Sequence, residues 1–303
     1  MTISTAQVQE RLAKLIDPVA GIDYVSGKML KGVETDDAGG VTVKIELGYP
    51  ARFAAQSVKA TVEAALKELG IENPVAEVTQ NIIAHKVQGT QRVMPGVKNI
   101  IAVSSGKGGV GKSTVTANLA LTLRNMGYRV GILDADIYGP SQPKMFGVEG
   151  YLPDAERIDG EDCILPADAM GIKLMSIGFF IKPSDALIWR DAMATNALRQ
   201  MIHQTKWGGL DFLLVDLPPG TGGVHLAVIS ELKVTGAVIV STPQQVAVAD
   251  VRRGVEMFRA DKIEIPVVGI IENMAWFTPK ELPENRYYIF GHGGARAFAE
   301  QND

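Results

Sequence analysis

Two periods of hydrophobicity succeed one another at the start of the chain. At Val41, Val43, Ile45 and Leu47 the apolar residues fall on every second position, directly after the turn-forming stretch DDAGG, which predicts a half-buried strand. The period then lengthens: in SVKATVEAALKELG, Val58, Val62, Leu66 and Leu69 line one helical face, with Gly70 placed to cap the C-terminus. A further strand around VAEVTQNII completes a small α+β unit over residues 1–85. The polar, Gly- and Pro-containing stretch HKVQGTQRVMPGVKN follows and predicts a linker at 86–97.

From residue 98 to 303 the pattern changes again. NIIAVSS, RVGILDAD, FLLVDLPPG, GAVIVSTPQ and PVVGIIENM are short apolar runs that end in polar residues and alternate with helical segments. Strands that are apolar throughout are buried on both faces, so this part predicts an α/β fold with a mostly parallel sheet wrapped in helices. In such folds ligands bind beyond the carboxyl ends of the strands, which makes the polar residues after each run the candidate site. No internal repeat or low-complexity tract interrupts the pattern.

The first of those ends is SSGKGGVGKSTV. Gly106 to Ser113 fits G-x-x-x-x-G-K-[ST], with a strand before it and a helix carrying Val115, Leu119 and Leu123 on one stripe after it, which is the context the phosphate loop of P-loop NTPases requires. Gly106, Gly108, Gly109 and Gly111, with Lys107 and Val110 between them, bring backbone N–H groups close to phosphate oxygens, and the helix beginning at Lys112, Ser113 and Thr114 adds its positive end. Lys112 is expected to contact the β and γ phosphates of ATP, and the Ser113 hydroxyl to ligate Mg²⁺. LDADIYGPS offers Asp134, for Mg²⁺ and its bound water, and Asp136, to position the attacking water. VDLPPGTGG offers Asp216 as the second-strand carboxylate and Gly220 as an N–H that senses the γ phosphate. An aspartate after a strand ordinarily caps a helix or forms a turn; three such segments in this order are what carry the reading.

Composition narrows the partners. The chain has 303 residues, 46% hydrophobic and 21% charged, with a net charge of −4, which suits a globular protein and leaves no broad basic field for nucleic acid or anionic lipid. No apolar run reaches the roughly 18 to 20 residues of a membrane helix, and the N-terminus lacks a secretory pattern, so a cytoplasmic protein is expected, with neither nucleic acid nor membrane as partner. The chain carries one cysteine, Cys163, which excludes an internal disulfide framework and any internal cluster with two or more thiolate ligands.

With these motifs in place the sequence resembles a known group at GKGGVGKST, where Lys107 marks the deviant Walker A branch of P-loop ATPases. The resemblance implies a homodimer that sandwiches two nucleotides, with Lys107 reaching the partner's phosphates as an arginine finger does, an addition worth roughly 10³ to 10⁵ in rate in GTPases. It also implies that Asn273 in IIENM, with the STPQQ loop nearby, reads the base. PGVKNIIAVSSGKGGVGKSTVTANLA, GILDADIYGPSQPKMFG, MSIGFF, IWRDAMATNAL, DFLLVDLPPGTGG and IFGHGG narrow the resemblance to the Mrp/ApbC family of iron–sulfur cluster carriers, and LIDPVAGIDYVSGKML and VTVKIELGYP resemble the small iron–sulfur assembly domain often fused ahead of it.

That family usually carries C-x-x-C after the ENM segment, two pairs of which would hold one [4Fe–4S] cluster across a dimer. Here Pro279 and Leu282 stand roughly where the cysteines would, YPARFAAQS lacks the N-terminal domain's common cysteine, and no iron–sulfur ligand is identified. Cys163 lies outside both places and reads as a small hydrophobe. Gly223 stands where an acidic residue is common, and Asp191-Ala192 where a Gly-Pro pair is. The family continues beyond the position of Asp303 by at least another strand and helix. His225 and His292 read as structural, with His292 also a candidate for an alternative metal site. The resemblance therefore implies a slow ATPase acting with apoprotein clients and iron–sulfur assembly proteins. A MinD/ParA-like positioning ATPase and a regulatory factor without a cluster stand as alternatives, while a cluster-dependent reductase is excluded by the cysteine count.

Overall fold

The computed structural model describes residues 3–36, 40–85, 94–158, 160–180 and 191–302. The linker expected at 86–97 falls largely outside them, as do part of DDAGG and the first three residues of IWRDAMATNAL. The chain divides into two compact units, Met1–Ile83 and Ala84–Asp303.

In the first unit α1 (Thr5–Leu12), β1 (Leu30–Thr35), β2 (Val41–Leu47), α2 (Ala55–Lys67) and β3 (Val75–Gln80) form a three-stranded sheet of order β1-β2-β3 with helices. β1 and β2 are antiparallel, whereas β2 and β3, joined through α2, are parallel. Val41, Val43, Ile45 and Leu47 all point into the core, where Val58, Val62 and Leu66 of α2 meet them. α2 stops at Lys67 because Gly70, at φ +86°, takes the left-handed conformation that turns the chain away. Asp17 lies fully buried in this unit, its two oxygens accepting from the N–H groups of Val19 and Ala20 and from the hydroxyls of Tyr24 and Tyr49.

The second unit begins with β4 (Val97–Ser105), α3 (Lys112–Asn125), β5 (Val130–Asp134) and the single turn α4 (Gln142–Met145). A stretch of short strands follows: β6 (Ala155–Ile158), β7 (Glu161–Ile164), β8 (Ala167–Ala169) and β9 (Ile172–Ser176). The unit then runs through α5 (Asp191–Gln204), β10 (Leu210–Asp216), α6 (Gly223–Glu231), β11 (Gly236–Ser241), α7 (Gln245–Arg259), β12 (Val267–Glu272) and α8 (Gly294–Asn302). Seven strands make one sheet of order β12-β11-β4-β10-β5-β9-β8, parallel throughout except for the antiparallel β8–β9 pair at one edge. All of β5 is buried, as are most of β10 and β11, as the apolar runs predict.

Three features differ from the pattern reading. β12, from the apolar run PVVGIIENM, has no fully buried residue, because it stands at the edge of the sheet. α3 turns Lys112, Thr116, Ala117 and Ala120 to the core, leaving Val115, Leu119 and Leu123 half-buried, so the face set against the sheet is the one that carries small side chains. The strands β6 to β9 are three to five residues long, too short to show a period, and Cys163 sits half-buried in the separate β6–β7 hairpin. Among the described residues no helix is long and apolar enough to cross a membrane.

Candidate functional site

The site forms where β4, β10 and β5, three neighbours in the sheet, end. Parallel register sets Asp216 opposite Val103 on β4 and opposite Asp134 on β5, and Asp134 opposite Ser176 on β9. Two aspartates are thus brought side by side on adjacent strands, roughly 5 Å apart at the backbone. β4 ends in Ser105, and the chain turns through 106–111 into α3. Gly109 (φ +79°) and Gly111 (φ +88°) adopt left-handed conformations that a side chain would strain. A Cβ on Gly106 would lie 2.6 Å from the backbone of Asp250, and one on Gly111 would collide with the Asn273 amide.

Lys112, at 6% exposure, is the cation at the centre. Its Nζ lies 2.5 Å from Asp216 Oδ1, 3.4 Å from Asp136 Oδ2 and 3.4 Å from Ser113 Oγ. Thr116 Oγ1 also donates to Asp216 Oδ1, at 3.3 Å. Gln142, fully buried, ties three segments together: its backbone N–H donates to Asp134 Oδ2, and its Nε2 donates to Asp216 Oδ2 at 2.8 Å and to the Ser113 carbonyl at 3.0 Å. Both partners of Nε2 only accept, so the amide orientation is fixed by chemistry. Asp134 accepts further from Ser176 Oγ and from the backbone of Asp136. Burial, then the charge of Asp216, pushes the Asp134 carboxyl well above the usual carboxylate range. Burial raises Asp136 as well, against the opposing pull of Lys112.

Asp134 is therefore a girder with both oxygens engaged, whereas Asp136 Oδ1 and Gln142 Oε1 are buried without a hydrogen-bond partner among the described residues. Buried unpartnered oxygens beside a hydroxyl are hard donors suited to Mg²⁺ or its water, so the residues present fit that ion. Ser113 Oγ is the group that would hold it, with the Asp136 carboxylate near its water, whereas Asp134, expected to serve the ion, has both oxygens taken by hydrogen bonds. Among the described residues no group of three His, Cys, Asp or Glu side chains is placed to hold a metal ion.

The remaining expected residues lie on the rim. Lys107 Nζ donates to Gln244 Oε1 of its own chain at 3.3 Å, an oxygen that Thr242 Oγ1 also reaches. Asn273 Nδ2 donates to the Val110 carbonyl at 2.9 Å, so this side chain braces the phosphate loop. The Gly220 N–H donates to the Ser105 carbonyl at 2.8 Å. Gly108, Gly109 and Thr114 are exposed, and Val110 is buried. His225 is buried with Nδ1 on the Pro218 carbonyl, and His292 stacks edge-on with Tyr288 at 4.9 Å, away from any cluster of ligands. Pro279 and Leu282 occupy an exposed turn closed by the Phe277–Tyr287 bridge and by Arg286 over the Trp276 ring. That turn offers no thiolate, and a cluster does not fit the residues there. Gln142 and Ser176 escaped the sequence reading, because a lone Gln or Ser after a strand carries no motif.

A parallel sheet whose first strand feeds a glycine loop and an α-helix, with carboxylates at the ends of the adjoining strands, defines a P-loop NTPase. Residues 96–303 match the family model described as the NUBPL iron-transfer P-loop NTPase, and the chain belongs to that family. Residues 5–79 match a second one, described as an iron–sulfur cluster assembly protein. The iron–sulfur cluster carrier protein of Synechocystis is 40% identical over 301 residues, covering 99% of this chain and 84% of the relative. That of Aquifex aeolicus is 51% identical over 212 residues, covering 69% of this chain but 56% of the relative, so this chain spans little more than half of that protein. A solved nucleotide-binding protein from Archaeoglobus fulgidus in complex with ADP superposes with a TM-score of 0.58 at 41% identity, over 68% of this chain and 79% of the other.

Proposed function

We propose that this chain is an ATP-binding, ATP-hydrolysing protein of iron–sulfur cluster assembly or delivery, cytoplasmic, and working as a nucleotide-sandwich homodimer that serves apoprotein clients. The observation that carries the ATPase part is Lys112 held between Asp216 and Asp136 at the mouth of a glycine loop. An ammonium already shared by two carboxylates can exchange one of them for phosphate oxygens at little electrostatic loss, since one anionic partner replaces another. Hydrolysis then needs a water placed in line with the γ phosphorus. Its oxygen forms the new bond, the bond to the β-phosphate oxygen breaks, and the leaving oxygen's charge develops near Lys112. Asp136, close to Lys112 and with one oxygen unpartnered, is assigned to orient that water. In this reading residues 98–303 are the motor, joined by a linker at 86–97 to an assembly-type domain at 1–85.

The relatives' names support a role with iron–sulfur clusters, but a cluster as cargo finds no ligand set in this chain. Its single cysteine, Cys163, favours a second form of the reading, a cluster-free factor that acts on clusters held by others. Two measurements separate these. Anaerobic reconstitution with iron and sulfide, followed by iron counting and optical absorption, is expected to leave the chain without stoichiometric iron; a stable cluster would reject the cluster-free form. Phosphate release from Mg²⁺-ATP is expected to fall by roughly 10³ or more in Lys107→Ala with ATP still bound, and Lys112→Ala is expected to lose binding as well. Unchanged turnover in Lys107→Ala would reject the cross-subunit role.

A further inference from the structure

The loop after β10 is built with few freedoms. Pro218 and Pro219 have fixed φ and no N–H, so the backbone donors of the first half are Leu217 and Gly220 alone. Leu217 N donates to the Val103 carbonyl at 3.1 Å and Gly220 N to the Ser105 carbonyl at 2.8 Å, which fastens the loop to β4 one residue before the phosphate loop starts. Gly220 takes φ +86° with open space where a Cβ would stand, so it serves there as a pivot and not as a spacer. If its N–H is to meet a γ phosphate, it must leave the Ser105 carbonyl. A pivot can exchange one acceptor for another only if the chain on its other side stays still.

What holds that other side is a side chain from α6. His225, at 1% exposure, sets Nδ1 3.2 Å from the Pro218 carbonyl. A carbonyl only accepts, so Nδ1 carries the proton and Nε2 is a bare acceptor, buried with no partner among the described residues. The Phe258 ring of α7 stands edge-on to the imidazole at 5.9 Å and limits its rotation. We propose that His225 is a positioning residue for hydrolysis: by pinning the Pro218 carbonyl it fixes the base of the Gly220 pivot, so that this N–H distinguishes a triphosphate from a diphosphate. Burial holds the ring in its neutral form, which keeps a second cation out of the neighbourhood of Lys112. The proposal rests on the ATPase reading above and assigns part of its nucleotide discrimination to a residue that touches no phosphate.

Two amide replacements isolate the bond. The Nδ2 of an asparagine falls near the place of Nδ1, and the Nε2 of a glutamine near that of the ring's Nε2, so His225→Asn keeps a donor for Pro218 and His225→Gln does not. With full-length protein, kcat for Mg²⁺-ATP and dissociation constants for ATP and ADP are measured in wild type and both variants, with melting temperatures beside them. His225→Gln is expected to lose about tenfold in kcat and most of its preference for ATP over ADP, the scale of one lost hydrogen bond, with ADP affinity unchanged. His225→Asn is expected to restore both values. If Gln and Asn variants that fold equally well show the same kcat and the same ATP-to-ADP ratio, the inference is overturned while the ATPase reading stands. A wild-type protein that neither binds nor hydrolyses ATP overturns the ATPase reading and this inference together.

Discussion

Asp17 in the N-terminal unit and Asp136 in the sheet unit are both buried, at 0% and 8% exposure, yet the protein treats them in opposite ways. Asp17 is surrounded by neutral donors, two backbone N–H groups and two phenols, that fill both of its oxygens without any cation. Burial first, and then this carboxylate, raise the pKa of Tyr24, and the same two causes hold Tyr49 protonated. Around Lys112, by contrast, two carboxylates share one ammonium, and Asp136 Oδ1 has no partner among the described residues. A completed shell of hydrogen bonds stabilises a fold. An incomplete one, in a place where completing it would have been easy, marks groups kept ready for a ligand.

The comparison can be broken at either end. The largest effect is expected in Asp136→Ala, where phosphate release from Mg²⁺-ATP should fall about 10²- to 10⁴-fold while ATP binding by calorimetry persists; normal turnover would remove Asp136 from the water's path. Asp17→Asn should do the reverse, lowering the unfolding free energy in urea by about 2–4 kcal/mol, because several hydrogen bonds to a charged acceptor are lost, and leaving turnover per folded molecule unchanged. A drop in activity there at equal stability would contradict the division drawn here.

A third test uses acidity. The His225 ring has its pKa lowered from 6.5 to about 4, chiefly by burial. Between those values the unfolded chain binds a proton that the native protein does not, so stability should decline as pH falls from 6.5 towards 4 and this contribution should level off below 4. The expected size is about 1–3 kcal/mol, and His225→Asn should lose that part of the slope; equal slopes would show that the imidazole titrates freely. The smallest effect is expected for Tyr49→Phe, about 1 kcal/mol for one of four bonds on Asp17, read as a shift in the urea midpoint.

How legible each of these places was in the sequence follows from how local its parts are. The phosphate loop is contiguous, from Gly106 to Thr114, and the strands that present Asp134, Asp136 and Asp216 are apolar runs with an abrupt polar end, so both loop and carboxylates stand out. Gln142 joins Asp216, 74 positions away, to Ser113, and nothing in its neighbourhood announces that. Asp17 meets Tyr49 from 32 positions away, and a buried carboxylate with neutral donors has no motif at all. Strands β6 to β9 were missed because three to five residues do not establish a period, and the stripe on α3 misled because close approach to the sheet favours Ala and Thr over Leu. Register, which no single stretch contains, is what set Asp134 beside Asp216.

The β6–β7 hairpin carries the chain's solitary sulfhydryl, part-exposed at Cys163. One attachment point per polypeptide means that a nitroxide placed there yields a single interspin vector for a pair of chains, without first stripping competing thiols. Pulsed electron resonance on the otherwise native molecule, recorded with ADP and then with a slowly hydrolysed ATP analogue, would therefore register directly whether two copies draw together around their nucleotides.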